Sequence, residues 1–279
     1  MAACIDPAKL DRLAEVAVRT GVNLQPGQDL VITAPMAALD LVRRITVHAY
    51  KTGAGVVMPF FSDDAITLAR YENAFDDSFD HTPNWFYEGL AAAFKGGAAR
   101  MAITGDDPML LAEQDPTKVA RLSKANSIAA KPAMEPIVGF EVNWNIVAYP
   151  SEAWARRVFP DLPVDEAQGK LMDAIFAASR LEGEDPVANW AAHTAQLKER
   201  VDWLNAQNFS ALHYTGPGTD LHLGLADGHV WKGGASPALN GVVSHPNITT
   251  EEVFTCTHAY KVEGTVAATQ PLAHQGNDI

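Results

Sequence analysis

Apolar positions recur along this chain with one period for about three quarters of its length and with another thereafter. Asp6-Pro7 reads as an N-cap followed by proline at the first helical position. It opens a helix to about Arg19 with Leu10, Leu13 and Ala17 as its apolar stripe. Leu30-Val-Ile-Thr33 is a short continuous apolar run of the kind a buried strand shows. A helix carrying Leu39, Val42 and Ala49 follows and ends near Gly53, and Gly55 to Phe61 is the next strand. Strand, helix and strand in this compass predict a right-handed βαβ unit with parallel pairing. Thr82-Pro83 is expected to cap a helix that Gly96-Gly97 stops, and Ala99–Thr104 reads as a third strand. Asp115-Pro116 starts another helix, and Asn145–Tyr149 is a fourth strand. Helices are expected over 165–181 and 186–206, the second with Trp190, Leu197, Val201 and Leu204 at three- and four-residue spacing. Ser210–Tyr214 reads as a fifth strand, so the expected fold class is α/β, a mostly parallel sheet covered by helices.

In Asp220-Leu-His-Leu-Gly-Leu225 the leucines alternate with polar or small residues, as in a half-buried strand, and no helical stripe follows. This places a boundary near residues 210–218. Residues 1–212 are expected to form the N-terminal α/β domain, and residues 213–279 the beginning of a β-rich (α+β) domain that is incomplete at some 60 residues.

Composition narrows the class. A length of 279 residues with 47% hydrophobic and 20% charged positions suits a folded globular chain with a sizeable core. The formal net charge of −13, with no block of lysines and arginines, argues against nucleic acid or an anionic membrane as partner. No basic segment leading into an apolar stretch opens the chain, and no apolar run approaches the ~18 residues of a membrane span. Only Cys4 and Cys256 are present, which argues against a disulfide framework and fits a reducing cytoplasm.

Several familiar chemistries are missing. Gly216-Pro-Gly218 lacks the third glycine and the following helix of a dinucleotide fingerprint, and reads as a tight turn between domains. There is no lysine-bearing phosphate loop, no Gly-x-Ser-x-Gly elbow and no His-Glu-x-x-His. Cys256 reads as a small core residue in a strand. His213, His222, His229, His245, His258 and His274 crowd the second domain, but their spacing matches no standard finger and none is assigned as a ligand. Asp220 is expected as a turn or strand-start acceptor and Trp231 as a core anchor.

The candidate chemistry lies in His245-Pro-Asn-Ile-Thr-Thr-Glu-Glu-Val-Phe-Thr-Cys-Thr-His258. Glu251 and Glu252 sit between a Pro/Asn turn and a β-branched, aromatic run, and strand alternation lets only one of them face a given site. A carboxylate held this way, with histidines nearby, suits a divalent cation; local sequence alone favours a solvated turn with two exposed acids. Together with Val262-Glu-Gly-Thr-Val266, this stretch resembles the signature of the aminopeptidase T / aminopeptidase S family of metallo-aminopeptidases. Gly216-Pro-Gly-Thr-Asp-Leu221, Gly228-His-Val-Trp-Lys-Gly-Gly234, Trp85-Phe-Tyr-Glu-Gly89 and Asn143-Trp144 are similar to the same family in the same order. One departure is Thr249, where the family has proline.

The resemblance implies a metal-dependent aminopeptidase acting on peptides with a free N-terminus. It further implies two divalent ions (zinc, cobalt, or magnesium or manganese) activating water, and a cytoplasmic homodimer. Matched residue by residue, the metal-ligand glutamate falls on Glu252, with Glu251 as second choice. The family's other ligands are a further glutamate, two histidines, a nearby tyrosine and a His-x-Asp pair. They belong to positions beyond Ile279, and no His-x-Asp occurs here. The chain is therefore expected to be a C-terminally truncated member with no further catalytic group of its own. The alternative is a non-catalytic α/β scaffold or interaction protein that has lost the metal domain.

Overall fold

The computed structural model describes residues 5–267. Helix α1 (Pro7–Val16) starts where Asp6 accepts the N–H of Ala8 at 2.8 Å, with Pro7 in the first turn where a missing N–H costs nothing. Strand β1 (Leu30–Pro35), helix α2 (Leu39–Thr52, closed by Gly53 at φ +96°) and strand β2 (Val57–Ser62) make the expected βαβ unit. Then come α3 (Asp64–Asn73), α4 (Asn84–Lys95), β3 (Ala99–Thr104), α5 (Pro116–Val138) and β4 (Trp144–Ala148). The strands pair in parallel in the order β2-β1-β3-β4, with Leu30 opposite both Val57 and Ala99. Helices α6 (Glu152–Val158), α7 (Val164–Ala178) and α8 (Pro186–Gln207) follow.

By packing, the chain divides into two compact units. One runs to Trp190 and takes in Ala235–Thr249; the other comprises Ala191–Gly234 and the described residues from Thr250 onward. In the first unit the inner strands β1 and β3 of the parallel sheet are buried on both faces, while the edge strand β2 is partly exposed. Leu30, Ile32 and Ala34 of β1, with Ala99, Met101 and Ile103 of β3, join Leu10, Leu13, Leu41, Ile45, Leu171 and Met172 in one core. Val31, the odd residue between them, packs with Leu90, Phe94, Ala133 and Ile137 of α4 and α5. This is why β1 reads as an unbroken apolar run. Each such fully buried Leu or Ile contributes roughly 1.5–3 kcal/mol of transfer free energy. The open edge of β4 is closed by residues 246–248: Ile146 donates its N–H to Pro246 O at 2.8 Å, and Ile248 donates to Ile146 O at 3.2 Å. Asn145 is fully buried and donates to His245 O, and Ile248 is fully buried in the core. Two short strands, β8 (Ser236–Pro237) and β9 (Val243–Ser244), form the hairpin leading there.

The second unit holds an antiparallel sheet in the order β11-β6-β5, from β5 (Ala211–Gly216), β6 (Thr219–Leu225) and β11 (Thr257–Thr265). A two-residue ladder between β7 (Lys232–Gly233) and β10 (Val253–Phe254) completes it.

Four expectations are corrected. Ser210–Tyr214 does not extend the parallel sheet but opens the β5–β6 hairpin, and Gly216-Pro-Gly218 is the turn of that hairpin rather than a link between domains. Pro217 and Gly218, the latter at φ +73°, are the central pair such a turn requires. Cys256 lies between β10 and β11, exposed and free, because neither flanking strand includes it. Thr82 does not cap α4; its hydroxyl hydrogen-bonds Asn126 at 2.6 Å instead. No described helix is long and apolar enough to cross a membrane.

Candidate functional site

The stretch carrying the two glutamates is held at each step by a named partner. In the first unit, His245 donates its N–H to Gly21 O at 2.8 Å, and its ring Nδ1–H donates to Thr20 O at 2.9 Å. Asn247 then forms an Asx turn: its Oδ1 accepts both the N–H of Thr249 at 3.2 Å and the Thr249 hydroxyl at 3.1 Å. A proline at 249 would supply neither donor, so the departure at this position exchanges a rigid ring for two hydrogen bonds.

In the second unit, buried His193 of α8 donates its ring Nε2–H to the carbonyl of Thr250 at 2.7 Å, and the same nitrogen lies 3.9 Å from Glu251 Oε2. His193 is absent from the sequence-based candidates because it stands alone on a helix, 58 residues from the Glu251 it approaches. Its only sequence signal is a polar residue on the helix face that also carries Trp190 and Leu197.

Glu252 immediately precedes β10, and β10 pairs with β7 so that Val253 lies opposite Gly233. A Cβ on Gly233 would sit 2.8 Å from Glu252 O and 2.9 Å from Val253 Cγ1, so only glycine lets the two strands approach. That assigns a physical role to one glycine of the Gly228–Gly234 motif. The Glu252 carboxylate folds back to accept the N–H of Glu251 at 2.9 Å. Partial burial pushes its pKa up, but the backbone N–H groups of Glu251 and Glu252 and the Thr250 hydroxyl outweigh that and hold it below the usual glutamate range. It is therefore ionised at neutral pH, as a ligand carboxylate must be. Glu251 and Glu252 are both exposed.

Among the described residues, one set of three His, Cys, Asp or Glu side chains brings its ligand atoms within 4.8 Å of one another: His213, Asp220 and His222, on the β5–β6 hairpin. Glu252 belongs to no such set, so the described residues around it do not complete a metal centre. His229 bonds the carbonyl of Ala226, His258 packs edge-on to Tyr260, and His274 lies outside the described residues. Trp231 is buried, with its N–H and C=O both bonded to the Asn205 side chain.

The first unit has a cleft of its own, about 600 Å³, lined by Ala37, Asp64, Asp107, Glu152, Arg156 and Arg157. It lies beyond the carboxyl ends of β1, β3 and β4, where strand order reverses and α/β sheets bind ligands. Burial, then the charges of Asp106, Asp107 and Asp63, push the Asp64 pKa up. No phosphate-binding glycine loop accompanies the cleft.

The sequence profile of the thermophilic metalloprotease (M29) family matches residues 6–279. The chain belongs to this family. As an M29 chain it is 48% identical over 267 residues to aminopeptidase T of Thermus thermophilus, a match covering 96% of this chain and 65% of that protein. It is 40% identical over 271 residues to aminopeptidase 2 of Geobacillus stearothermophilus, covering 97% and 66%. Among solved structures, wild-type AmpT from Thermus thermophilus superposes with a TM-score of 0.88 at 46% identity, over 95% of this chain and 65% of that one. The M29 chain thus spans about two thirds of the length of the relatives it matches. The α/β architecture, with its parallel sheet and appended antiparallel sheets, is the fold of AmpT.

Proposed function

We propose that this chain is the N-terminal α/β domain (1–212) and the start of the β-rich domain (213–279) of a metal-dependent aminopeptidase. Such an enzyme removes N-terminal residues from peptides, and Glu252 is one of its metal ligands. The observation that carries this reading is the family match across residues 6–279, with relatives named aminopeptidases at up to 48% identity. The setting of Glu252 supports it: the carboxylate is ionised, immediately precedes a strand that Gly233 admits, and lies two residues after a carbonyl anchored by His193. Divalent ions in such a site polarise the scissile carbonyl and lower the pKa of bound water. Zinc, cobalt, magnesium and manganese are the candidate ions, two per site. A homodimer in the cytoplasm, without nucleic-acid or membrane partners, is part of the same proposal.

The test is hydrolysis of aminoacyl chromogenic substrates, with added zinc or cobalt and again with a chelator. It is run on this chain and on a longer chain in which the unmatched C-terminal segment of Thermus thermophilus aminopeptidase T follows Ile279. Chelator-sensitive activity in the longer chain is expected. Glu252→Gln there should lower bound metal and activity together, each by about tenfold or more. Full metal occupancy and activity in Glu252→Gln would remove Glu252 from the ligand set.

A further inference from the structure

The antiparallel sheet has two unlike faces. Its rows follow from the pairing of β5, β6 and β11: Leu212–Leu223–Val262 and Tyr214–Leu221–Gly264 on one face, His213–His222–Glu263 and Thr215–Asp220–Thr265 on the other. The second face thus gathers two imidazoles and two carboxylates on a short stretch of regular ladder. The His213 and His222 rings stack with centroids 3.8 Å apart and planes 13° apart, and His213 Nε2 lies 2.6 Å from Asp220 Oδ1. All three side chains are exposed.

We infer that the β5–β6 hairpin carries a divalent transition-metal site made by His213, Asp220 and His222. Three ligand atoms already within 4.8 Å need only small side-chain rotations to reach the ~3.3 Å separation that tetrahedral bonds of about 2.0–2.1 Å impose. Two imidazoles and one carboxylate suit zinc, cobalt, nickel or copper and are a poor set for magnesium or calcium. The short His213–Asp220 contact fixes the ring, so Asp220 serves either as the third ligand or as the outer carboxylate that orients His213. Glu263, opposite His222 on the next strand, stands outside the 4.8 Å set but in the same row, placed to supply a fourth oxygen. The backbone beneath is rigid: six β5–β6 pairs run without a shift up to the Pro217-Gly218 turn. A solvated polar face would explain the exposure of these residues. It does not explain why two basic rings lie stacked beside a carboxylate that binds one of them.

The site goes beyond the aminopeptidase proposal and is tested without any activity measurement. Zinc chloride and cobalt chloride are titrated by calorimetry into the untagged 279-residue protein and into folded His213→Asn, His222→Asn, Asp220→Asn and Glu252→Gln variants. Loss of either histidine should weaken zinc binding at least as much as loss of an outer-shell partner, about 10–100-fold. Asp220→Asn should fall within that range, while Glu252→Gln leaves this binding unchanged. In the unaltered protein, cobalt should selectively broaden the imidazole NMR signals of His213 and His222, which keeps the proposal testable should a variant fail to fold. No zinc binding by the unaltered protein would overturn it. So would binding unchanged in both histidine variants, binding lost in Glu252→Gln alone, or cobalt broadening that spares these two rings. An inactive longer chain that still binds zinc through His213 and His222 would refute the aminopeptidase reading and leave this site standing.

Discussion

In β1 of the parallel sheet, consecutive residues Leu30, Val31 and Ile32 are all buried, the even and odd positions feeding different cores. In β6 of the antiparallel sheet, Leu221 and Leu223 are half-buried while Asp220 and His222, which alternate with them, are exposed. In the first sheet helices pack against both sides of β1, so its side chains serve packing. The second is largely exposed, and every titratable group of the proposed hairpin site lies on one of its faces. Ligand-bearing residues can accumulate there because the fold does not need those positions for packing.

The largest effect that would test this contrast is truncation in the buried sheet. Ile32→Ala should cost about 2–5 kcal/mol in denaturant unfolding, while His222→Ala stays within about ±0.5 kcal/mol. Comparable losses at the two sites would mean the open face is structural after all. Next comes backbone: Gly264 sits at φ +127°, and a Cβ there would run into the carbonyl of Asp220. Gly264→Ala should cost about 1–3 kcal/mol and loosen β11 from β6, seen as faster amide exchange confined to those strands.

The smallest effect is in acid and has opposite signs in the two regions. The bond from His213, together with the His213 and His222 charges, holds the Asp220 carboxyl below its ordinary value of 3.8. Its stabilisation is therefore present above 3.8 and lost as pH falls through the lower folded value. Asp64 of the first unit is raised above 3.8 by burial and neighbouring acids. Its protonation therefore relieves a cost as pH falls through that raised value, before Asp220 is affected. Between those two values Asp64→Asn should flatten the pH dependence of stability, and below 3.8 Asp220→Asn should; a reversed order would contradict both environments.

The parallel sheet is legible in the sequence because unbroken apolar runs and Asp-Pro starts are local signals: they place β3 and the starts of α1, β1 and α5 at the observed residues and the end of α2 at Gly53, but stop β1 two residues short and run α1 about three residues long. Helices α3 and α6 are not legible in the sequence although Asp63 and Ser151 cap them, since neither cap precedes a strong apolar stripe. Ser210–Tyr214 does not announce its sheet because a short Ala-Leu-His-Tyr run fits a parallel or an antiparallel strand alike; the Pro217-Gly218 turn that follows is what marks a hairpin. At the candidate site, Glu252 was named from the resemblance, and its physical supports were not. Gly233 and His193 act through close approach and through a carbonyl, and spacing in sequence encodes neither. The hairpin histidines were seen as a crowd, but their convergence depends on register, which sets His213 opposite His222.

The edge of β4 closes on residues that come 100 positions later in the chain, as between Asn145 and His245. During synthesis at about 5–20 residues per second, that edge stays open for roughly 5–20 s after β4 has emerged. For that interval the nascent sheet offers unpaired N–H and C=O groups to any strand that arrives first, including one from a neighbouring nascent copy. Until Ile248 leaves the ribosome, the first unit depends on the speed of translation and on whatever shields β4.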